Sequence, residues 1–596
     1  MRHAGQAQGG LCILGHSRMA TNGTPADNHN NQPLFSDALV GVHNGIVTND
    51  AELRHELGEG GRRSGVDSEA LFTSLERLKD QLGSIPLAAS RLYARVEGMA
   101  SIAALFVASD ELLLATNTGS LYTCHDEALG VFVFASEGIF LRRLLPHGIR
   151  PGGAAPVRQL KPGDACLVQG ETLRTEYFTL AAAGPGAAPA ATRAPAARAV
   201  EILDHSAYPP VAADVQGGGG GRWGAEGRTL DVEYEPDRGL RRCTRCILPE
   251  TMPFIDFDEG GVCNYCRDYR PVTVLGEVAL KDLVRRHRGH GGRPDCLVAI
   301  SGGRDSSYTL HYVKRVLGLH PVAFTYDWGM MTDEGRRNVS RMCAGTGTEH
   351  ILVSADIPRK RAYIRANVLA WLRRPHLGTV PLFMAGDKQF YRISYDLRRQ
   401  FGVKLMFYGE HALESTNFKV GYGGSRLTTK GTMAYSIRKV DKLKMLLFYG
   451  REYLLNPAYL NRSLWDSFDA FVSFYLLPHD YLKIYDYVRW DEPTIVGTLR
   501  GQYKWEAARD SDSTWRIDDG TAAFYNYIYF TVGGFSEHDT FLSNLVRDGR
   551  RSRAEALAES AVWNTPRIES LLWYGDTIGV DMQDAVRTIN RIPKLK

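Results

Sequence analysis

Cys296-Leu-Val-Ala-Ile-Ser-Gly-Gly-Arg-Asp-Ser-Ser307 is the stretch that decides the fold of the larger part of this chain. The apolar run Cys296 to Ile300 reads as a buried strand. It breaks at Ser301-Gly302-Gly303 and leads into a helical pattern over 305–317. The two glycines let backbone N–H groups approach a phosphate closely, and the helix N-terminus adds a partial positive charge. No lysine follows as it would in G-x-x-x-x-G-K-[ST], so nothing here reaches for a γ-phosphate. The stretch reads as a pyrophosphate cradle; a Gly-rich strand-to-helix turn without a ligand is the alternative.

Working outward, strand and helix patterns keep alternating: strand 321–326, helix 333–345, strand 350–353. That is the pattern of a parallel α/β sheet, assigned here to 275–596. The last hundred residues are aromatic-rich, and periodicity does not settle their fold. Upstream, residues 1–180 carry short β-like runs (Leu39–His43, Ile102–Val107, Leu112–Ala115, Val131–Phe134) interrupted by a helical pattern at 67–82, an α+β or layered β domain. Residues 181–240 turn rich in Ala, Gly and Pro, with Gly217 to Gly221 unbroken, and read as a linker.

At 596 residues the chain has room for several domains, and its net charge of +4 gives no general case for nucleic acid. It has no apolar run of transmembrane length and no secretory leader pattern, so a cytoplasmic enzyme with no membrane partner is expected. Of nine cysteines, Cys243-x2-Cys246 and Cys263-x2-Cys266 form two knuckles sixteen residues apart. Four thiolates so spaced suit one structural Zn²⁺ in a closed tetrahedron, with an iron–sulfur cluster as the rival. Cys12, Cys124, Cys166, Cys296 and Cys343 read as small core residues, Cys12 within the strand-like run Leu11–Leu14.

Near the start, Gly15-His16-Ser17-Arg18-Met19-Ala20-Thr21-Asn22-Gly23, His43-Asn44-Gly45 and Asp67-Ser68-Glu69 form a three-part constellation. It resembles the glutaminase domain of class II amidotransferases. The chemistry suits it: a guanidinium such as Arg18 for the α-carboxylate of glutamine, with Thr21 beside it, and a carboxylate such as Asp67 for the ammonium. Asn44 and the Gly45 N–H are candidate oxyanion donors. Their bland alternatives are a surface ion pair, a hairpin turn at Asn44-Gly45, and a helix cap at Asp67. The nucleophile of that family is a cysteine at the mature N-terminus, whereas this chain begins Met1-Arg2-His3. The expectation is that the family's first strands and nucleophile lie upstream of a misplaced start; a disabled glutaminase is the other reading.

The strand-to-helix cradle resembles the PP-loop of ATP pyrophosphatases. With Arg242–Pro253, Phe257–Cys266, Thr325–Gly329, Pro381–Phe390, Gly409–His411 and Thr514–Asp519, the chain from Arg242 resembles N-acetyl sugar amidotransferases. The fold class so expected is multidomain α/β: an N-terminal layered α+β glutaminase-like domain (1–180), the linker, a zinc-ribbon-like module (241–270) and a C-terminal parallel-sheet PP-loop domain of adenine nucleotide α-hydrolase type. The resemblance implies ATP and Mg²⁺, adenylation of an acetamido oxygen, and ammonia transfer with release of AMP and pyrophosphate in surface polysaccharide biosynthesis. It places ATP at Ser301, Gly302, Gly303, Asp305, Ser306, Ser307 and Asp327, with Asp305 on Mg²⁺ or orienting the loop. Asp387, Lys388 and Glu410 are candidate metal or phosphate contacts. Glutamine or ammonia and an N-acetylated sugar or related small acceptor are the expected partners. A homo-oligomer or a separate glutaminase subunit also fits. The alternatives are an RNA-modifying PP-loop enzyme, an asparagine-synthetase-like enzyme amidating a small acid, and a non-catalytic scaffold.

Overall fold

The computed structural model describes residues 12–17, 30–36, 38–57, 64–127, 129–144, 157–180, 228–288, 293–384, 386–416, 418–425, 428–430, 434–436, 439–475, 477 and 481–596. The chain divides into two compact units, 1–222 with 337–351, and 223–336 with 352–596.

The first unit is built on strands β1 (Leu34–Phe35), β2 (Leu39–Val47), β3 (Gly98–Phe106), β4 (Glu111–Thr116), β5 (Leu121–Asp126), β6 (Val131–Ala135), β7 (Arg158–Leu160), β8 (Asp164–Gln169) and β9 (Thr175–Thr179). They form a six-stranded sheet in the order β1-β2-β3-β4-β8-β9 and a three-stranded sheet β6-β5-β7. β3 is central and reads Gly-Met-Ala-Ser-Ile-Ala-Ala-Leu-Phe, small enough for both faces to be covered. On one face Ile102 and Ala104 join Leu71, Phe72 and Leu75 of the helix Asp67–Leu82, with Ala88 and Leu92 of the helix Ile85–Tyr93. On the other, Ala103 packs with Leu112 and Leu114 of β4 and with Leu121 and Leu160 of the small sheet. The layers are thus helices, large sheet, small sheet. The turn between the helices has a local cause: Gly83 takes φ +64, and the Ser84 hydroxyl caps the second helix by accepting from Leu87 N–H. Cys12 is exposed and residues 12–17 form no strand, which corrects the buried reading of the Leu11–Leu14 run.

The second unit carries β10 (Cys296–Ala299), β11 (Pro321–Asp327), β12 (His350–Ser354), β13 (Leu405–Tyr408), a small hairpin β14 (Thr428–Lys430) and β15 (Ala434–Ser436), and β16 (Leu482–Lys483). The main sheet has the order β12-β11-β10-β13-β16, with β10 parallel to β11 and to β13, and β13 parallel to β16. The order reverses at β10, so the crevice beyond its carboxyl end is a topological switch point, the place where open α/β sheets bind ligands. The expected helix after it is present, running Arg304–His311 and continuing as a π-helical turn at Tyr312–Val316.

The unsettled last hundred residues are helical: Glu492–Tyr503, Ala522–Gly533, Glu537–Arg547, Arg553–Trp563, Ile568–Ile578 and Met582–Asn590. Ala522–Gly533 is buried along its whole length, so it has no polar stripe to announce itself. Residues 228–240, grouped by composition with the linker, pack here: Leu230 and Val232 lie on this core, and Arg238 donates to the Phe530 and Thr531 carbonyls. Among the described residues no helix is long and apolar enough to cross a membrane.

One charge cluster locks these helices. Glu537, fully buried, pairs with Lys419 at 2.7 Å and accepts from Tyr525 Oη at 2.7 Å, with Arg516 at 3.5 Å. Burial pushes its carboxyl up, but Lys419 and Arg516 outweigh burial and hold it at about 2. The stability it contributes is therefore present above its ordinary 4.5 and is lost as pH falls from there towards 2. Glu537→Gln should cost about 3 kcal/mol in urea unfolding at neutral pH, because it strands Lys419. The gap between variant and parent should narrow as pH falls below 4.5.

Candidate functional site

The loop after β10 lies at the switch point of the sheet. Gly302 has φ +85, and a Cβ there would sit 2.1 Å from the Gly335 carbonyl oxygen, so the position accepts only glycine. Trp505 Nε1 donates to the Gly302 carbonyl at 2.9 Å. Ser306 Oγ accepts from Ser301 N–H at 3.1 Å, lies 2.9 Å from Ser301 Oγ, and donates to the Gly303 carbonyl at 3.2 Å. These hydroxyls hold the loop's shape. Ser307 is buried, and its Oγ has no hydrogen-bond partner.

Asp305 is enclosed. Its carboxylate meets Arg304 at 3.0 Å, Trp490 Nε1 at 2.7 Å and His411 Nε2 at 3.3 Å. Burial pushes it up, yet Arg304 and His411 prevail and hold it well below the usual carboxylate range. Arg304, 2% exposed, lies over Trp490 and Trp515 and pairs with Glu492 at 2.6 Å. His411 stacks on Trp490 with centroids 4.7 Å apart. Asp305, His411 and Glu414 offer ligand atoms within 4.8 Å of one another, but Glu414 is itself paired with Arg516 at 2.8 Å. Gly409 makes the approach from β13 feasible: a Cβ there would lie 2.6 Å from the Asp305 carbonyl.

Of the other sequence candidates, Asp327 and Glu410 lie at the ends of β11 and β13. Asp327, closing β11, is fully buried, pairs with Arg336 at 2.5 Å and accepts from Gly329 N–H at 2.8 Å. Glu410, following β13, accepts from Tyr391 Oη at 3.1 Å and Tyr481 Oη at 3.3 Å and pairs with Lys483 at 2.9 Å. Burial raises its carboxyl, and Lys483 more than offsets that, leaving it below its ordinary range. Asp387 and Lys388 pair with each other at 3.2 Å in a single 3-10 turn.

Sequence reasoning assigned no role to Asp518. Its Oδ1 would lie 2.7 Å from a Cβ on Gly303, and it accepts from the Ser301 hydroxyl. Burial pushes its carboxyl up to about 6, Ser301 opposing and Asp519 adding. The only hint in the sequence is the polar density of Thr514–Asp519.

The four clustered cysteines are all buried, with Cys243 and Cys266 Sγ 3.9 Å apart and Cys246 and Cys263 Sγ 3.8 Å apart. Tetrahedral Zn–S bonds of about 2.3 Å require S···S separations of about 3.8 Å, so these thiols fit zinc. Cys243 Sγ receives the N–H groups of Arg245, Cys246 and Cys263, and Arg547 reaches Cys246 Sγ at 3.6 Å, which favours thiolates. Cys266 is pulled down to about 4 by the Cys246 and Cys263 side chains, while the same contact with Cys246 drives Cys263 up, as in a cluster sharing protons.

In the first unit, Arg18 and Thr21 lie outside the described residues. Asn44 and Gly45 are in mid-strand, opposite Ser101 and Ala100, and are not a hairpin turn. Gly45 takes φ +142, with the Met99 carbonyl oxygen 2.1 Å from where a Cβ would be. Asp67 opens its helix, buried, accepting from Val47 N–H at 2.7 Å and Ser68 N–H at 3.0 Å. Ser68 Oγ lies 2.9 Å from His43 Nδ1, and Gln32 Oε1 accepts from His43 N–H at 2.6 Å. Asp67, Ser68, His43 and Gln32 thus form one network beside Asn44-Gly45.

Residues 16–143 match the family described as a glutamine amidotransferase domain. Similar curated proteins include glutamine–fructose-6-phosphate aminotransferase (isomerizing) of Brucella abortus biovar 1 (strain 9-941), 36% identical over 121 residues, 20% of each chain. The Rhizobium meliloti protein of that name is 34% identical over 135 residues, 22% of each. The chain spans about a fifth of the length of these relatives. Among solved structures, glutamine phosphoribosylpyrophosphate amidotransferase from B. subtilis covers 28% of this chain and 34% of its own, at 20% identity and a TM-score of 0.21. The NH3-dependent NAD synthetase from Campylobacter jejuni covers 38% and 91%, at 12% identity and a TM-score of 0.18. The first unit carries a domain like those of glutamine amidotransferases, matched over 16–143.

Proposed function

We propose that this protein is an ATP-dependent amidotransferase. It adenylates an amide or carboxyl oxygen, with an N-acetyl sugar acetamido group as the leading acceptor, and transfers glutamine-derived ammonia to it. One observation carries the reading: Ser301-Gly302-Gly303 turns off β10 at the switch point, with Gly302 at φ +85, and opens a helix toward the crevice. N–H groups so placed suit a pyrophosphate and lack the lysine that serves γ-phosphate transfer.

In this reading 1–180 is the glutamine-binding part, 241–270 is a structural zinc module, and 275–596 activates the acceptor. An amide carbonyl is a poor electrophile. Its oxygen attacks the α-phosphorus of ATP, the bond to the bridging oxygen of pyrophosphate breaks, and an O-adenylyl imidate forms. Ammonia adds to the imidate carbon, and AMP departs with the former amide oxygen. The N–H groups of Gly302, Gly303 and the helix start hold the leaving pyrophosphate; the hydroxyls of Ser301 and Ser306 keep the loop in shape, and that of Ser307 has bonding capacity to offer. Asp305 fixes the first helical turn through Arg304, Trp490 and His411. A divalent cation would neutralise the phosphate charge. The test incubates the protein with ATP, ammonium chloride and a panel of nucleotide-linked N-acetyl sugars. The expected products are AMP and pyrophosphate in equal amounts, formed only with an acceptor. ADP and phosphate, or no acceptor-dependent AMP with any of the panel, would overturn the proposal for this substrate class.

A further inference from the structure

The loop's own acid is committed elsewhere. Asp305 is met from three sides by Arg304, Trp490 and His411, which leaves its carboxylate oxygens already engaged. Asp518 is differently placed. Its backbone is pinned beside the loop: Thr332 N–H donates to the Asp518 carbonyl at 3.3 Å, Thr332 Oγ1 donates to the Ile517 carbonyl at 2.7 Å, and Met331 bridges Asp519. Its Cα would lie 3.1 Å from a Cβ on Gly335, and its Oδ1 2.7 Å from one on Gly303. Two glycines therefore make room for this one carboxylate at the cradle.

Among the described residues no cation forms an ion pair with this carboxylate, although the Arg516 charge acts on it from a distance. Arg516, two positions away, is paired with Glu414 and Glu537. The Ser301 hydroxyl hydrogen-bonds to Asp518 and brings no charge. An ionised carboxylate beside bound phosphates is repelled unless a cation lies between them. Magnesium is held in such sites by one or two carboxylates together with substrate phosphates.

We propose that Asp518, and not the Asp305 of the loop motif, is the protein ligand for the divalent cation that accompanies the nucleotide. The inference rests on the nucleotide reading above. Ser307 Oγ, buried at the start of the same helix and without a partner, is a second polar atom with capacity to spare.

The test measures binding of α,β-methylene-ATP to the full chain by calorimetry, with and without MgCl2. Mn²⁺ electron paramagnetic resonance reports the metal directly. In the parent, Mg²⁺ should tighten binding about tenfold or more. Asp518→Asn should lose that enhancement, bind the metal-free analogue at least as tightly as the parent, and fail to retain Mn²⁺ with the analogue. Asp518→Glu should keep an enhancement, which guards against a variant that merely misfolds. Asp305→Asn should retain the Mg²⁺ ratio whatever it does to melting temperature. An enhancement intact in Asp518→Asn, or lost only in Asp305→Asn, overturns the assignment while leaving the nucleotide reading standing. Failure of the parent to bind the analogue at all overturns both.

Discussion

Cys263→Ser should give a protein without zinc whose second unit melts at least about 10 °C below the parent. The four buried thiols are positioned to take a closed tetrahedral ion, and metal affinity in such sites is folding free energy, on the order of 10 kcal/mol for small zinc modules. The loss would spread because the knuckles are keyed into the C-terminal helices. Arg553 Nε donates to the Cys243 and Cys246 carbonyls at 3.0 and 3.1 Å, and Arg242 reaches the Ile247 carbonyl and Asp539. Removing one ligand leaves the other three thiols without the charge that holds them together. Elemental analysis for zinc, paired with thermal unfolding with and without a chelator, checks this. A metal-free protein with unchanged melting would rule out the structural role. Iron and acid-labile sulfide in the parent would instead identify a cluster.

How much of this was open to sequence reading depends on whether a feature is local. The runs 296–300, 321–326 and 350–353 lie within a residue of β10, β11 and β12, because short apolar runs bounded by Gly, Pro and charge have few other ways to be buried. The spacing of Cys243, Cys246, Cys263 and Cys266 foretold four thiols in contact, since each knuckle is a local turn and only the pairing of the two is long-range. Ala522–Gly533 escaped because a helix buried on every side carries no period. Nothing local in the sequence marks Arg304 for burial; only the fold brings it over Trp490 and Trp515. Asp518 lies far along the chain from Gly303, and no local pattern could place its carboxylate against that glycine. In the first unit the same holds for Gln32, which meets the His43 backbone across β2. The helix start at Asp67 was legible because its acid-first turn and amphipathic repeat are local.

Gly302→Ala should abolish acceptor-dependent AMP formation, by about a hundredfold or more. Two costs add at this position. A side chain at φ +85 is strained, by roughly 1–3 kcal/mol. The new methyl would also lie 2.1 Å from the Gly335 backbone carbonyl, an atom that no rotamer change can move aside. The loop must then shift as a body, and the N–H groups aimed at the pyrophosphate shift with it. Misplacement of catalytic donors by even an ångström is felt at about the hundredfold level. Gly501 supplies the matched control: it lies within the helix Glu492–Tyr503 with nothing within 4 Å of an added Cβ. Gly501→Ala should keep full activity and gain up to about 1 kcal/mol from helix propensity. Melting curves taken on both variants separate folding from chemistry. If Gly302→Ala forms AMP at the parental rate while folded, the cradle after β10 is not where the pyrophosphate is held, and the adenylation reading fails with it.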